Sequence, residues 1–376
     1  IRTSIHFIVS SINVTVGRVS NALPAAAAPF LYWLALALRG QGTFMSTATI
    51  HQYAPKTAGK APEVPIRHMD FKFDAKDLDT TFFKDTEFAT AYFQALSIFL
   101  TFGEELVIDT ARYHRQFLKD PVLKQRVTAL IGQEAIHSKM HDEFNDTLAE
   151  HRYPVALYRF LADNVFEYGF KKLPNRMQLS LMAGIEHFTA VLAEYMMKNE
   201  AVFYETGDEK QRALWMWHML EESEHKDIAY DVYETLSGNY PLRVSGFALA
   251  AFTIMFLVPL GGAAIPVYRK PTKLLSLRFW KDVKTSLVFL AGPKEGVYGS
   301  TVKHILDYMR RDFHPNDHDT TAYLEYYKEK LLNPKIWAKV TIVSIVTYRM
   351  SSWSFFVITL PRRPILPPPL SQSISP

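Results

Sequence analysis

Between Ala75 and about Gly238, apolar residues recur every three or four positions, the spacing that gathers them on one face of an α-helix. The pattern predicts a first long helix over Asp85–Phe117. Asp120-Pro121 then reads as an N-cap followed by a proline at the first helical position, where its missing N–H costs nothing, and opens a second helix running to about Glu150. A shorter helix is expected over Val155–Tyr168. A third long helix follows from Pro174 to about Phe203, and a fourth from Asp208 to near Gly238.

The pattern changes at Val244–Tyr268, a run without charge between Arg243 and Arg269 that is long enough to cross a bilayer. Pro259-Leu-Gly-Gly262 interrupts it, so a membrane-embedded segment, a membrane-surface element and a buried hairpin all stay open. Further helices are expected over Leu274–Leu290, Thr301–Arg311, Thr320–Leu332 and Pro334–Thr347. The organisation is then a four-helix bundle at 75–238 and a C-terminal helical region at 239–350, with the apolar segment at 244–268 inside it. A proline-rich tail at 361–376 should not form a regular element. Residues 1–44 form an N-terminal extension in which the polar stretch Ser10–Asn21 precedes an Ala-rich apolar stretch, Leu23–Leu38. Met45 opens a more ordinary N-terminus, so the extension is expected to be poorly ordered or to lie upstream of the natural start.

The predicted bundle carries two Glu-x-x-His words, Glu134–His137 and Glu222–His225. Each is preceded by a helix with a single glutamate on its apolar stripe, Glu104 and Glu186. Residues at i and i+3 share a helix face, so a carboxylate oxygen and an imidazole nitrogen can reach one ion. Four helices projecting these six side chains inward have the ligand set of a carboxylate-bridged two-metal centre. One such word arises easily by chance, and a lone helical Glu is usually a surface group. Four carboxylates on converging apolar stripes are another matter. Each carries a desolvation penalty and they repel one another, unless cations meet them.

Helix faces separate neighbours. Glu104 shares its stripe with Leu100, Ile108 and Ala111, whereas Glu105 lies with Thr101, Asp109 and Arg112 on a solvated face. Glu222 goes with Trp215, Met219 and Ala229; Glu221 and Glu224 flank it at other angles. His218 precedes Glu222 by four and is a candidate seventh ligand. His141 and Glu194 are weaker candidates for supporting or acid/base roles, and His187 is read as structural.

Composition narrows the chemistry. Cysteine is absent, which excludes disulfides, thiolate nucleophiles, zinc–thiolate sites and iron–sulfur clusters. A net charge of +4, with bases scattered among acids, argues against nucleic acid as a partner.

The strings FGEELVIDTAR, GQEAIHSKMHDEFN, IEHFTAVLAEYMM and WHMLEESEHKDIAYDVYE resemble the bacterial proteins catalogued as predicted metal-dependent hydrolases, a ferritin-like group. YMRRDFHPNDHDT is similar to that family's C-terminal segment, and the likeness spans roughly residues 60–335. It implies an all-α, ferritin-like four-helix bundle with additional C-terminal helices. It also implies metal ligation by Glu104, Glu134, His137, Glu186, Glu222 and His225. The stripe His218, Glu222, His225 resembles that of the arylamine N-oxygenases, di-iron enzymes with an added histidine ligand.

The expectation drawn from these residues is two metal ions, iron first and manganese or zinc as alternatives. The first expected function is an oxidase or oxygenase acting on a small or lipid-like apolar substrate, served by an electron donor. Hydrolysis by metal-activated water is the second, and a ferroxidase or metal-handling role a third. The expected location is the cytoplasm, with contact to the inner membrane and homo-oligomerisation both left open.

Overall fold

The computed structural model describes residues 64–78, 86–151, 153–199, 208–332 and 341–346. The expectations for residues 1–44 and 361–376 lie outside these. Among the described residues the fold is all-α apart from one two-stranded ribbon.

Four helices form the centre: α1 (Glu87–Arg115), α2 (Pro121–Glu150), α4 (Asn175–Lys198) and α5 (Glu209–His225), with the short α3 (Val155–Phe166) between the pairs. Their starts follow local chemistry. Asp120 accepts a hydrogen bond from the Val122 N–H ahead of α2, and Asp208 accepts from Lys210 and Gln211 ahead of α5, so orphan amides of the first turn are satisfied. α1 packs along α2, α4 along α5, α1 meets α4 and α2 meets α5, which closes a bundle. The core between them is aromatic and tightly fitted; Phe93 of α1 meets Trp215 of α5 edge-on at 5.3 Å between centroids.

The predicted fourth helix is divided. α5 ends at His225, and a separate α6 (Ile228–Leu236) follows. The apolar run then forms one continuous helix, Tyr240–Arg269, built from α7 (Tyr240–Phe252), a wider π-helical turn (Thr253–Leu257) and α8 (Val258–Arg269). Pro259 sits at the start of α8, where its missing amide is tolerated, and the wider turn precedes it. Only 39% of the most apolar stretch of this helix is buried, against 89% for α1, so one side packs on the body and the other faces outward.

Glycines let the buried side approach closely. A Cβ on Gly184 of α4 would stand 2.9 Å from the Phe247 Cα of α7, and one on Gly262 of α8 would stand 2.7 Å from the Tyr92 Cα of α1. These contacts hold the apolar helix against α4 and α1 as part of the bundle wall.

After it come α9 (Leu277–Ala291), α10 (Val302–Asp307) and α11 (Thr321–Leu332). A helix is expected over Pro334–Thr347, but Thr341–Val346 forms the strand β2. Its run Thr-Ile-Val-Ser-Ile-Val is rich in β-branched residues, which suit a strand better than a helix. β2 pairs antiparallel with β1 (Ile66–Asp70), from Ile66 opposite Val346 to Asp70 opposite Thr341, and β1 rests on α2.

Candidate metal centre

Glu104 and the pair Glu134–His137 project from α1 and α2, Glu186 from α4, and His218, Glu222 and His225 from α5. All seven are buried, the histidines completely. Glu222 lies at the middle. Its Oε1 is 2.9 Å from His218 Nε2 and 3.5 Å from His137 Nδ1, and its Oε2 is 3.3 Å from His225 Nε2. His225 Nε2 is also 3.2 Å from Glu134 Oε1 and from Glu186 Oε2, while His137 Nδ1 is 3.7 Å from Glu134 Oε1. Glu104 Oε1 is 3.7 Å from His218 Nε2. The structure thus brings together every residue predicted as a ligand.

The surroundings fix which nitrogen each histidine turns inward. His137 Nε2 lies 3.0 Å from Glu221 Oε2, which leaves Nδ1 facing the centre. His225 Nδ1 lies 2.9 Å from Gln133 Oε1, and the amide nitrogen of Gln133 is committed to the Pro65 carbonyl and Glu224, so Nε2 faces inward. The third case is a relay. Ser97 donates its hydroxyl proton to Asn145 Oδ1 (2.9 Å) and so accepts from His141 Nδ1 (2.7 Å). His141 Nε2 must then accept from His218 Nδ1 (2.6 Å), and His218 presents the Nε2 lone pair to the carboxylates. Outer partners that orient ligating imidazoles in this way are typical of metal sites.

Polar satisfaction gives a test of fit. Among buried side-chain atoms lacking a hydrogen-bond partner are both oxygens of Glu104, Oε1 of Glu134, Oε2 of Glu186 and Nδ1 of His137. Leaving such atoms unpaired is costly. They belong to the candidate ligands and point at shared space, and a donor set of carboxylates and imidazoles suits iron, manganese or zinc alike. The residues fit metal ions.

With protein groups alone, protons do the neutralising. Burial, then the charge of Glu134, pushes the Glu104 carboxyl well up; burial pushes Glu186 up to about 8 despite the attraction of His225. For His137 and His225 burial opposes charge, but nearby carboxylates outweigh it and raise both. Burial likewise opposes ionisation of Glu222, yet His225 and His218 hold it well below the usual range. Glu186 therefore keeps a proton near neutral pH, and the upward shifts of Glu104, His137 and His225 favour further protons that cations must displace. Loading the apoprotein with a divalent metal at pH 7 is expected to release protons, and affinity is expected to climb as pH rises towards 8. Calorimetry in two buffers of different ionisation enthalpy measures this; an identical heat in both would refute it.

Of the two weaker candidates, His141 keeps the supporting role among its alternatives, and Glu194 lies elsewhere. His141 is not a free acid or base: both its nitrogens are engaged, burial and then His218 push it well below its ordinary range, and its place is behind His218. Glu194 is not brought to the centre. It sits two turns beyond Glu186, and its carboxylate is bound by Lys198 and by His304 Nδ1 at 2.9 Å. Glu194, His304 and His318 do offer ligand atoms within 4.8 Å of one another. Lys198 already answers that carboxylate, so the cluster lacks the unmet acceptors of the main site. His187 donates to the carbonyls of His304 and Ile305 at 3.1 Å and packs on Tyr308, a structural role.

Arg67 escaped the sequence analysis. From β1 it reaches Glu221 at 2.9 Å and Glu224 at 2.6 and 2.8 Å, so the two glutamates set aside as ligands form a charged brace behind His137. Nothing local in a five-residue strand marks this arginine. Asn145 was more accessible, since it continues the stripe of His137 and His141 at four-residue spacing.

A family model described as predicted metal-dependent hydrolase matches residues 65–319, more than half of the chain. The chain belongs to this family. No curated protein and no solved structure matches it. Membership reverses the expected order of functions: metal-dependent hydrolysis moves ahead of oxidation. The ligand set by itself does not rank them, because carboxylates and imidazoles serve both chemistries.

Proposed function

We propose that the protein is a two-metal hydrolase acting on a substrate with an apolar, lipid-like part. The observation that carries the metal reading is the convergence of unmet buried acceptors on Glu104, Glu134, Glu186 and His137. Glu104, His137 and His218 would hold one ion, Glu186 and His225 the other, with Glu134 and Glu222 shared. Bound divalent ions supply a water nucleophile at neutral pH and polarise the bond to be cleaved. The chain orients the imidazoles through Glu221, Gln133 and His141, and its apolar walls keep bulk water away.

Support for the substrate class comes from a narrow cavity of about 40 Å³ with an almost wholly apolar lining. Leu100, Thr189 and Met219 in its wall stand one helical turn from Glu104, Glu186 and Glu222, and Thr253, Ile254 and Val258 of the outer helix close the far side. A small apolar group suits this lining and a charged or sugar-like one does not; a longer chain would need the surrounding helices to part.

A second reading, oxygen chemistry at iron, is favoured by complete burial of His137, His218 and His225 in aromatic surroundings. One experiment separates the two. Protein loaded in turn with zinc, manganese and iron is offered short- and long-chain carboxylic and phosphoric esters while oxygen is monitored. The expected result is ester cleavage that favours apolar chains, is lost to a chelator, returns with metal and consumes no oxygen. Stoichiometric iron with substrate-dependent oxygen uptake and no cleavage would overturn the hydrolase reading.

A further inference from the structure

We infer that the stretch Arg269–Val288 is a docking surface for an anionic phospholipid bilayer. Large apolar side chains stand outward here, and none of the described residues covers them: Leu275 and Leu277 are each 88% exposed, and Trp280 and Val288 are 53% and 61% exposed. Along α9, Leu277, Trp280, Lys281, Lys284, Leu287 and Val288 fall on one stripe at helical spacing, while Phe279, Ser286, Phe289 and Leu290 turn into the body. A helix with Leu and Trp on its outer side among lysines is built to lie in the headgroup boundary.

Charge selects the occupant. Between residues 269 and 288 stand six bases, Arg269, Lys270, Lys273, Arg278, Lys281 and Lys284, and one acid, Asp282. Asp282 is already engaged, accepting from the Phe88 N–H at 3.0 Å at the start of α1. The cleft between α8, α9 and α1, about 630 Å³, is lined by four of those bases, Arg269, Lys270, Lys273 and Arg278, with Lys273 paired to Glu87. A patch of several Lys and Arg at a surface attracts anionic lipid through its phosphate groups. A second protein would need acids and a matching apolar face together. A bilayer offers both over any area.

This docking is peripheral. The Tyr240–Arg269 helix, which among the described residues alone has the length and outward apolarity to span, is held by Gly184 on Phe247 and Gly262 on Tyr92 and cannot leave the bundle intact. Peripheral docking also puts its outward side, with Phe256 64% and Leu260 69% exposed, within reach of lipid.

The test is co-sedimentation of the full chain with vesicles of phosphatidylglycerol and phosphatidylcholine, against phosphatidylcholine alone. Expected is binding to the anionic vesicles that salt weakens and inorganic phosphate does not compete away. Leu275→Glu with Leu277→Glu should lower that binding by about tenfold or more with an unchanged circular dichroism spectrum. Lys281→Glu with Lys284→Glu should remove the preference for anionic lipid. No sedimentation with anionic vesicles, or binding untouched by both double variants, would overturn the inference. So would a concentration-dependent dimer lost in the leucine variant without vesicle binding. The readout needs neither metal nor turnover, so its failure is distinct from failure of the hydrolase reading.

Discussion

Glu222→Gln is expected to empty the centre. Glu222 is the carboxylate whose two oxygens face all three inward-turned imidazoles, at 2.9, 3.5 and 3.3 Å. The amide keeps the volume and one acceptor but removes the charge that, in the proposed two-metal site, would bind both ions. Metal content should fall from two per chain to below one. Since metal catalysis supplies several kcal/mol, hydrolysis should drop on the order of a thousandfold. The glutamine variant should still fold, because His225, no longer raised by the Glu222 charge, can release its proton and so leave no unbalanced cation. Elemental analysis beside a thermal melt decides the matter: a stable variant that retains two metals would show that Glu222 is not shared.

Arg67→Ala should act on stability first and on the metal second. The guanidinium is buried, which opposes its charge, but bonds to Glu224 and Glu221 more than compensate and hold it charged. Removing it takes the guanidinium from two buried carboxylates, leaving Glu224 with Gln133 and Lys328 and Glu221 with His137. Breaking a buried pair costs at most about 3–5 kcal/mol. Glu221 would keep its bond to His137 but lose its brace, and the orientation it imposes on His137 would loosen. Losing such an outer partner typically weakens metal binding by about 10–100-fold. Denaturant unfolding of apo and loaded protein measures both effects. Glu221→Gln is the discriminating companion: it should weaken metal with little loss of stability. A loss of stability without any change in metal affinity in both variants would confine Arg67 to a structural role.

The inward-facing candidate ligands were legible because helical periodicity converts sequence spacing into direction. Leu100, Glu104 and Ile108 must share a face whatever the tertiary fold, and the same holds for His218, Glu222 and His225. What surrounds them was not legible. Arg67 meets Glu221 across 154 positions and Ser97 meets His141 across 44, and no local period connects them. Glu194 misled for a related reason: it follows Glu186 by eight, but by then the helix has carried it past the centre to Lys198 and His304. The strand Thr341–Val346 was read as helix because short apolar runs lack a decisive period, and its partner lies at the opposite end of the described chain.

The glycine contacts also bear on how the protein is made. Gly246 of α7 rests on Ser180 of α4, and Gly262 of α8 on Tyr92 of α1, so the wall of the bundle is finished by residues synthesised after His225. A nascent chain that has just delivered its last candidate ligand still shows solvent the bare sides of α1 and α4. Such long-range closure is slow and leaves apolar surface open to aggregation. A fragment ending at His225 would hold all seven ligand residues and should still fail to retain metal, so metal insertion belongs after release of the chain.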